Sequence, residues 1–140
     1  MINLKTDNFE IDNIDTILFD KDGTFIDLHY FWGKMTEMRV LEIIKRFNLK
    51  EDLFSVLCLK LGYDTLNGKM LKDGITAMYS RPVIIEIFCK DLNNLGISIT
   101  EFQIEEVFDE VSKTFYENMS EYTKAIENAI NFIKHVKSKG

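Results

Sequence analysis

The chain has 140 residues, of which 46% are hydrophobic and 29% are charged, with a formal net charge of -6 and a pI near 4.9. This is the length and composition of one ordinary globular domain with room for a buried core. The acidic charge argues against a nucleic-acid-binding protein, because such a protein needs a basic surface to neutralise phosphates. No apolar stretch is long enough to cross a bilayer, and the N-terminus lacks the pattern of a signal peptide. We therefore expect a cytoplasmic protein with no nucleic-acid or membrane partner.

The first element that the sequence predicts is a strand over Thr16–Phe19, after a mixed and polar stretch with only isolated apolar residues. This run is short, contains β-branched and aromatic residues, and is apolar on both faces, as is typical of a strand buried in a parallel sheet. It ends at Asp20. That residue would therefore lie at the carboxyl end of a strand, where open α/β sheets bind their ligands.

After Gly23 the pattern becomes helical. The first apolar stripe follows the spacing of a helix face and consists of Phe31, Trp32, Met35, Val40, Ile43, Ile44 and Phe47. A second helix is predicted from Leu53 to Leu61, and the pair Asn67-Gly68 offers a tight hairpin turn. Pro82 suits the first turn of a further helix that Gly96 ends.

Two more helices are predicted in the last third of the chain. Thr100-Glu101-Phe102-Gln103 has the pattern of a capping box, and one face of the helix after it carries Ile104, Val107, Phe108, Val111 and Phe115. The stripe of a final helix consists of Tyr122, Ile126, Ala129, Ile130, Ile133 and Val136. The sequence thus predicts one strand and otherwise helices, although a lone strand leaves its backbone groups without partners.

The two cysteines, Cys58 and Cys89, lie in apolar surroundings and belong to no CxxC pair or Cys/His cluster. This favours buried reduced thiols over a disulfide or a metal site.

The loop Asp20-Lys21-Asp22-Gly23-Thr24 carries the residue types of a phosphoryl-transfer site. Alternate side chains of an extended backbone point the same way, so Asp20 and Asp22 can face one pocket. One carboxylate can attack phosphorus and hold a divalent cation, while the other exchanges protons with the leaving alcohol and then with water. Gly23 permits a tight turn, and Thr24 can hydrogen-bond locally.

Two other interpretations of this loop need weighing. A polar turn after a strand has the same composition, but the position directly after an apolar run, before Thr24-Phe25-Ile26-Asp27, favours a catalytic loop. A calcium-binding EF-hand needs glycine at its sixth position and an acidic residue at its twelfth. Counted from Asp20, Phe25 and Phe31 stand there, so that interpretation fails.

The run Ile17-Leu18-Phe19-Asp20-Lys21-Asp22-Gly23-Thr24-Phe25-Ile26-Asp27 resembles the first motif of the haloacid dehalogenase superfamily of phosphatases. The stretches Asp27-Leu28-His29-Tyr30-Phe31-Trp32 and Leu61-Gly62-Tyr63-Asp64 resemble its phosphoglycolate-phosphatase-like branch. This resemblance implies an α/β fold with a Rossmann-type core, represented here by one core strand and a mostly helical cap. Residues 1–28 would begin the core and carry the catalytic loop. Residues 29–119 would form the cap, and residues 120–140 the helix that returns to the core.

The resemblance also implies roles for the loop residues. Asp20 would be the nucleophile and a Mg²⁺ ligand, and Asp22 would be the general acid and base, with its backbone carbonyl on the metal. Lys21, Gly23 and Thr24 would border the substrate through the loop backbone, although Lys21 itself is expected to be exposed or salt-bridged. The implied substrate is a small, phosphoglycolate-like phosphorylated metabolite. The family's phosphate-binding Ser/Thr and Lys and its later acidic pair are expected beyond residue 140, so this chain is expected to hold only part of the site.

Three functions remain open at this point. The same loop serves a phosphatase and a phosphomutase, which sends the phosphoryl group to another substrate instead of water. A non-catalytic interaction module is the third, and it would pair with another copy or with a C-terminal half. His29 and Trp32 either border the substrate entrance or pack the cap, and Asn67 and Lys69 lie in a turn that could face substrate.

Overall fold

The computed structural model describes residues 1–139, and the chain divides into two compact units. Unit 1 comprises Met1–Asp27 together with the chain from Lys124 onward, and unit 2 comprises Leu28–Thr123. The described strands are β1 (Ile2–Lys5), β2 (Glu10–Ile14), β3 (Tyr63–Asp64) and β4 (Lys69–Met70). The described α-helices are α1 (Leu28–Arg46), α2 (Phe54–Lys60), α3 (Ile75–Met78), α4 (Arg81–Asn94), α5 (Glu101–Glu117), α6 (Met119–Tyr122) and α7 (Ala129–Lys139). Within residues 1–139, no helix combines the length and apolar character needed to span a membrane.

Unit 1 begins with a β-hairpin that the sequence did not predict. Strands β1 and β2 pair antiparallel, with Leu4 opposite Ile11 and Lys5 opposite Glu10. Thr6 closes the turn, because its N–H donates to the carbonyl of Phe9 at 2.8 Å. Ile2 and Leu4 alternate with polar residues, as is typical of a strand. This pattern is too short to distinguish a strand from a loop.

The strand predicted over Thr16–Phe19 is not formed. Residues 15–21 join no sheet, and Leu18 is 92% exposed instead of buried. A strand persists only where a neighbour accepts and donates its backbone hydrogen bonds, and no stretch of the described chain pairs with this one. Both described sheets are two-stranded and antiparallel, so the expected parallel sheet is not present in residues 1–139.

The buried core lies in unit 2, where α1 and α5 pack together. The two apolar stripes predicted for these helices are confirmed for most of their members. The buried ones are Phe31, Met35, Val40, Ile43 and Ile44 from α1, and Ile104, Val107, Phe108, Val111 and Phe115 from α5. Burying each such side chain contributes about 1.5–3 kcal/mol relative to exposure, so these stripes account for why the two helices associate.

Several local predictions are confirmed in unit 2. Thr100 and Gln103 form a complete capping box at the start of α5. Pro82 lies in the first turn of α4, and Gly96 follows that helix with a φ of 81°. Strands β3 and β4 form the predicted hairpin, with Gly68 at a φ of 64°. Within the described chain both cysteines are free thiols, as predicted; Cys58 is buried, but Cys89 is only partly buried.

The final helix is shorter than predicted. Tyr122 belongs to the separate short helix α6, and α7 begins only at Ala129. The intervening backbone has other partners, since the carbonyl of Lys124 accepts from the N–H of Asp27 at 2.8 Å and Ile126 donates to Phe25 at 2.9 Å. These bonds use groups that a continuous helix would need for its own ladder.

Candidate active site

The loop singled out in the sequence forms a tight turn in unit 1. The carbonyl of Lys21 accepts from the N–H groups of Phe25 at 3.0 Å, Ile26 at 3.1 Å and Thr24 at 3.4 Å. Gly23 has a φ of 78°, a left-handed conformation that costs glycine little, and its N–H donates to Ile26 at 2.9 Å. The glycine is therefore required by the turn itself.

Contacts within unit 1 hold this turn in place. The ring of Phe19 meets the ring of Phe25 edge-on at 4.9 Å and that of Phe132 on α7 at 6.1 Å. Ile26 also forms an isolated antiparallel bridge to Ala125. Aromatic pairs of this geometry contribute about 0.5–1.5 kcal/mol beyond the area they bury. Residues on both sides of the turn are thus tied to the C-terminal part of unit 1.

The two aspartates of the loop have different surroundings. Asp20 is exposed, whereas Asp22 is partly buried and its Oδ1 atom has no hydrogen-bond partner. The Nζ of Lys21 lies 2.9 Å from that oxygen, an ion-pair distance without hydrogen-bond geometry. Lys21 is thus exposed and salt-bridged, as expected. Because Thr16–Phe19 is not a strand, alternation along a strand no longer supports a common orientation of Asp20 and Asp22.

The backbone donors of the loop are already in use. The N–H groups of Gly23 and Thr24, which the sequence assigned to substrate binding, donate to carbonyl oxygens within the turn. A phosphate held by these two groups would therefore replace existing turn bonds. Thr24 and Gly23 are nevertheless exposed, so the outer face of the turn is open to a ligand.

The carboxylates of the loop match the donor type that Mg²⁺ takes. This ion is bound through one or two carboxylates, with water and substrate phosphate completing its octahedron. Asp20 supplies one such group, exposed to solvent, whereas the Oδ1 atom of Asp22 is buried and already lies 2.9 Å from Nζ of Lys21. In residues 1–139, no cluster of three or more His, Cys, Asp or Glu side chains is assembled. The loop therefore fits a cation bound partly by substrate and solvent.

The other polar residues considered in the sequence have structural contacts in unit 2. His29 accepts a hydrogen bond on Nδ1 from the N–H of Met70 at 3.1 Å, which joins α1 to β4. Asn67 donates through Nδ2 to Asp64 at 2.6 Å and holds the hairpin loop. Lys69 lies on β4, exposed. These contacts favour the packing interpretation for His29 and Asn67.

Two arginines that the sequence analysis did not select are the other polar feature of unit 2. Arg39 and Arg81 line one cavity together with Trp32, and Arg39 is buried. Arg39 could have been noticed in the sequence, because it interrupts the apolar stripe of α1.

Comparison with known proteins identifies no family for this chain. The chain matches no protein-family model, no curated protein and no solved structure.

Proposed function

We propose that this chain is a Mg²⁺-dependent phosphomonoesterase related to the haloacid dehalogenase superfamily, with Asp20 as its nucleophile. The observation that carries this proposal is the loop Asp20-Lys21-Asp22-Gly23-Thr24, whose sequence resembles that family's first motif. Its geometry supports the role of Asp20, because this carboxylate is exposed to a substrate, while Asp22 two residues later is partly buried and paired with Lys21. The proposed substrate is a small phosphorylated metabolite, phosphoglycolate-like in size, and the proposed location is the cytoplasm.

The proposed reaction has two displacements at phosphorus. In the first, an oxygen of Asp20 forms a bond to phosphorus while the ester P–O bond breaks, and Asp22 gives a proton to the leaving alcohol. In the second, water attacks the acyl phosphate, Asp22 takes a proton from that water, and the bond from Asp20 to phosphorus breaks. Inorganic phosphate leaves and both aspartates return to their first state. A bound Mg²⁺ would offset the negative charge of the nucleophile and the phosphate.

Replacing Asp20 tests the proposal directly. Asp20→Asn keeps the shape of the side chain but removes the nucleophilic carboxylate, so Mg²⁺-dependent phosphate release should fall about a thousandfold or more. Release from p-nitrophenyl phosphate by the purified chain, with and without EDTA, is the measurement.

Asp12→Asn is the matched control, because Asp12 is an exposed aspartate of β2 outside the loop and should keep full activity. Equal turnover in the unmodified protein and in the Asp20→Asn variant would contradict the assignment. With a sugar phosphate as substrate, free phosphate indicates a hydrolase, whereas an isomeric sugar phosphate indicates a phosphomutase.

A second candidate function is that of an interaction module. It is favoured by the surface of unit 1, in whose described part no residue is buried. The exposed apolar side chains there include Met1, Phe9, Ile11, Leu18, Phe19, Ile130, Phe132 and Ile133. Strands β1 and β2 also leave their outer edges unpaired. A second copy of the chain can cover both features, so the partner that we propose for this function is the chain itself.

A further inference from the structure

A cavity of about 290 Å³ lies within unit 2, among helices α1, α3, α4 and α5. This volume is at the small end of the range for pockets that bind metabolites. Its wall is mostly aromatic and basic and includes Trp32, Arg39, Tyr79, Arg81, Phe108 and Tyr116. No carboxylate belongs to the lining. Such a wall suits a flat or apolar body that carries negative charge.

Arg39 is the most unusual residue of this wall. It is only 7% exposed, and no carboxylate of residues 1–139 forms an ion pair with it. An arginine has five N–H donors, but this guanidinium uses one of them, from Nη2 to Ser112 Oγ at a long 3.4 Å. Its Nε is buried without an acceptor. The guanidinium also lies over the ring of Phe108, with Cζ 4.1 Å from the ring centroid, and this cation–π contact offsets part of the cost of burial.

Arg81 adds a second positive charge to the same wall. Its Nη2 pairs with Asp109 at 2.5 Å, but its Nε is also buried without an acceptor. Burial and the neighbouring charge of Arg81 lower the pKa of Arg39 to about 10. Arg39 is thus a cation at neutral pH, and the carboxylate that attracts it, Asp109, is already ion-paired with Arg81. One positive charge in the wall therefore remains without a counter-ion among the described residues.

We propose that this cavity is a binding site for a small oxyanion, a carboxylate or phosphate-type group on a compact aromatic or aliphatic body. The guanidiniums of Arg39 and Arg81 receive the charged head, because their planar donor sets match the oxygens of these groups. The hydroxyl of Ser112 can join them, and Trp32 and Tyr116 flank the body of the ligand. The site lies wholly in unit 2 and uses neither Asp20 nor Asp22, so it goes beyond the proposed phosphatase.

A purely structural role explains these observations less well. An arginine retained for packing alone is normally held by a carboxylate or by several carbonyl groups when it is buried. Even Arg46, an exposed arginine of the same helix, pairs with both Glu42 and Glu110. Arg39 is buried but has no such carboxylate partners, and it lies beside an open cavity and a second arginine. A bound oxyanion supplies the acceptors that the protein lacks.

Trp32 makes the proposal measurable, because it is the only tryptophan in the sequence and it lines the cavity. The full chain is titrated with phenylphosphonate, which has no ester bond to hydrolyse, with benzoate, and with neutral benzyl alcohol at constant ionic strength. We expect a saturable change in tryptophan fluorescence with the two anions and none with benzyl alcohol. Tighter binding of phenylphosphonate would identify a phosphate-type ligand, and tighter binding of benzoate a carboxylate.

Variants assign the response to the two arginines. Arg39→Met keeps the apolar stem and removes the charge, and it should weaken anion binding about tenfold or more. Arg81→Met should also weaken it. Arg46→Met is the matched control and should bind as the unmodified chain does.

An independent measurement needs no variant. In a nitrogen NMR spectrum of the unmodified chain, the signals of the buried Nε–H groups of Arg39 and Arg81 should move on addition of phenylphosphonate. The proposal is overturned if no anion gives a saturable response, if benzyl alcohol binds as well as the anions, or if Arg39→Met binds like Arg46→Met. It is also overturned if the arginine signals do not move.

Discussion

Arg39 occupies a position of α1 where the helical period would place an apolar side chain, four residues after Met35 and four before Ile43. Both of those neighbours are buried, and so is Arg39. Burying an unpaired cation costs free energy that packing of its methylene stem only partly offsets. Natural sequences break the local pattern mostly at functional sites. The arginine within the apolar stripe is therefore a stronger indication of function than the apolar residues around it.

The burial of Cys58 predicts how the stability of the protein depends on pH. Burial raises the pKa of this thiol to about 12, from an ordinary value of 9.0. As the pH rises through 9 the unfolded chain releases the proton while the folded chain retains it, so the free energy of unfolding should fall. Between pH 8 and pH 10 this thiol should account for a loss of about 1 kcal/mol.

The measurement is urea unfolding of the unmodified chain and of Cys58→Ala across this pH range. The variant is less stable at every pH because it leaves a cavity, but its stability should decline less steeply above pH 9. Parallel pH profiles would show that the thiol does not titrate differently in the two states.

At the scale of elements, helix α5 is the part of the fold in which local and tertiary preferences agree best. Its first turn is capped by Thr100 and Gln103, whose side chains bond to each other's backbone N–H groups. Its apolar stripe packs against α1, and Phe31 of that helix meets Phe115 edge-on at 4.9 Å. Agreement between capping, periodicity and packing is why the sequence predicted this helix correctly.

Removing the cap should weaken this helix measurably. Thr100→Ala deletes the oxygen that accepts from the N–H of Gln103 at 3.3 Å, and it should lower the free energy of unfolding by about 1 kcal/mol. Thr114→Ala is the control, because Thr114 is an exposed residue inside the same helix and its replacement should change stability by less than about 0.5 kcal/mol. Denaturant unfolding followed by circular dichroism compares them. Equal effects of the two changes would show that the cap contributes nothing.

At the scale of the whole molecule, the two units differ in what they bury. Every buried core residue lies between Phe31 and Phe115, inside unit 2. In the described part of unit 1, apolar side chains of the hairpin and of α7 instead surround an open cavity of about 230 Å³. Exposed apolar surface of this extent is typical of a face that contacts another polypeptide.

The interaction-module function predicts self-association through unit 1. Sedimentation velocity of the chain should show concentration-dependent dimers, because a second copy removes apolar surface from water. Leu18→Glu should shift the equilibrium to monomers by placing a charge in that surface. Leu66→Glu is the matched control, since Leu18 and Leu66 are each 92% exposed but lie in different units. A chain that stays monomeric at all concentrations, or equal effects of the two changes, would contradict this function.

The sequence by itself determined most of unit 2. The stripes of α1 and α5, the capping box at Thr100 and the glycine that ends α4 depend on residues within a few positions of one another. Such signals can be read from a single chain. The loop from Asp20 to Thr24 was found in the same way. Its chemical role stays a prediction, as does the resemblance that suggested it.

Only the tertiary structure decided which apolar segments are buried. Thr16–Phe19 has the composition of a buried strand, but no strand of the described chain pairs with it. Ile126 was predicted to be helical but lies outside α7, because its backbone N–H donates to the carbonyl of Phe25. The meeting of Arg39 with Arg81 likewise depends on how distant helices pack. Burial, strand pairing and the approach of two charges depend on contacts between residues that are far apart in the chain. Local periodicity therefore cannot predict them.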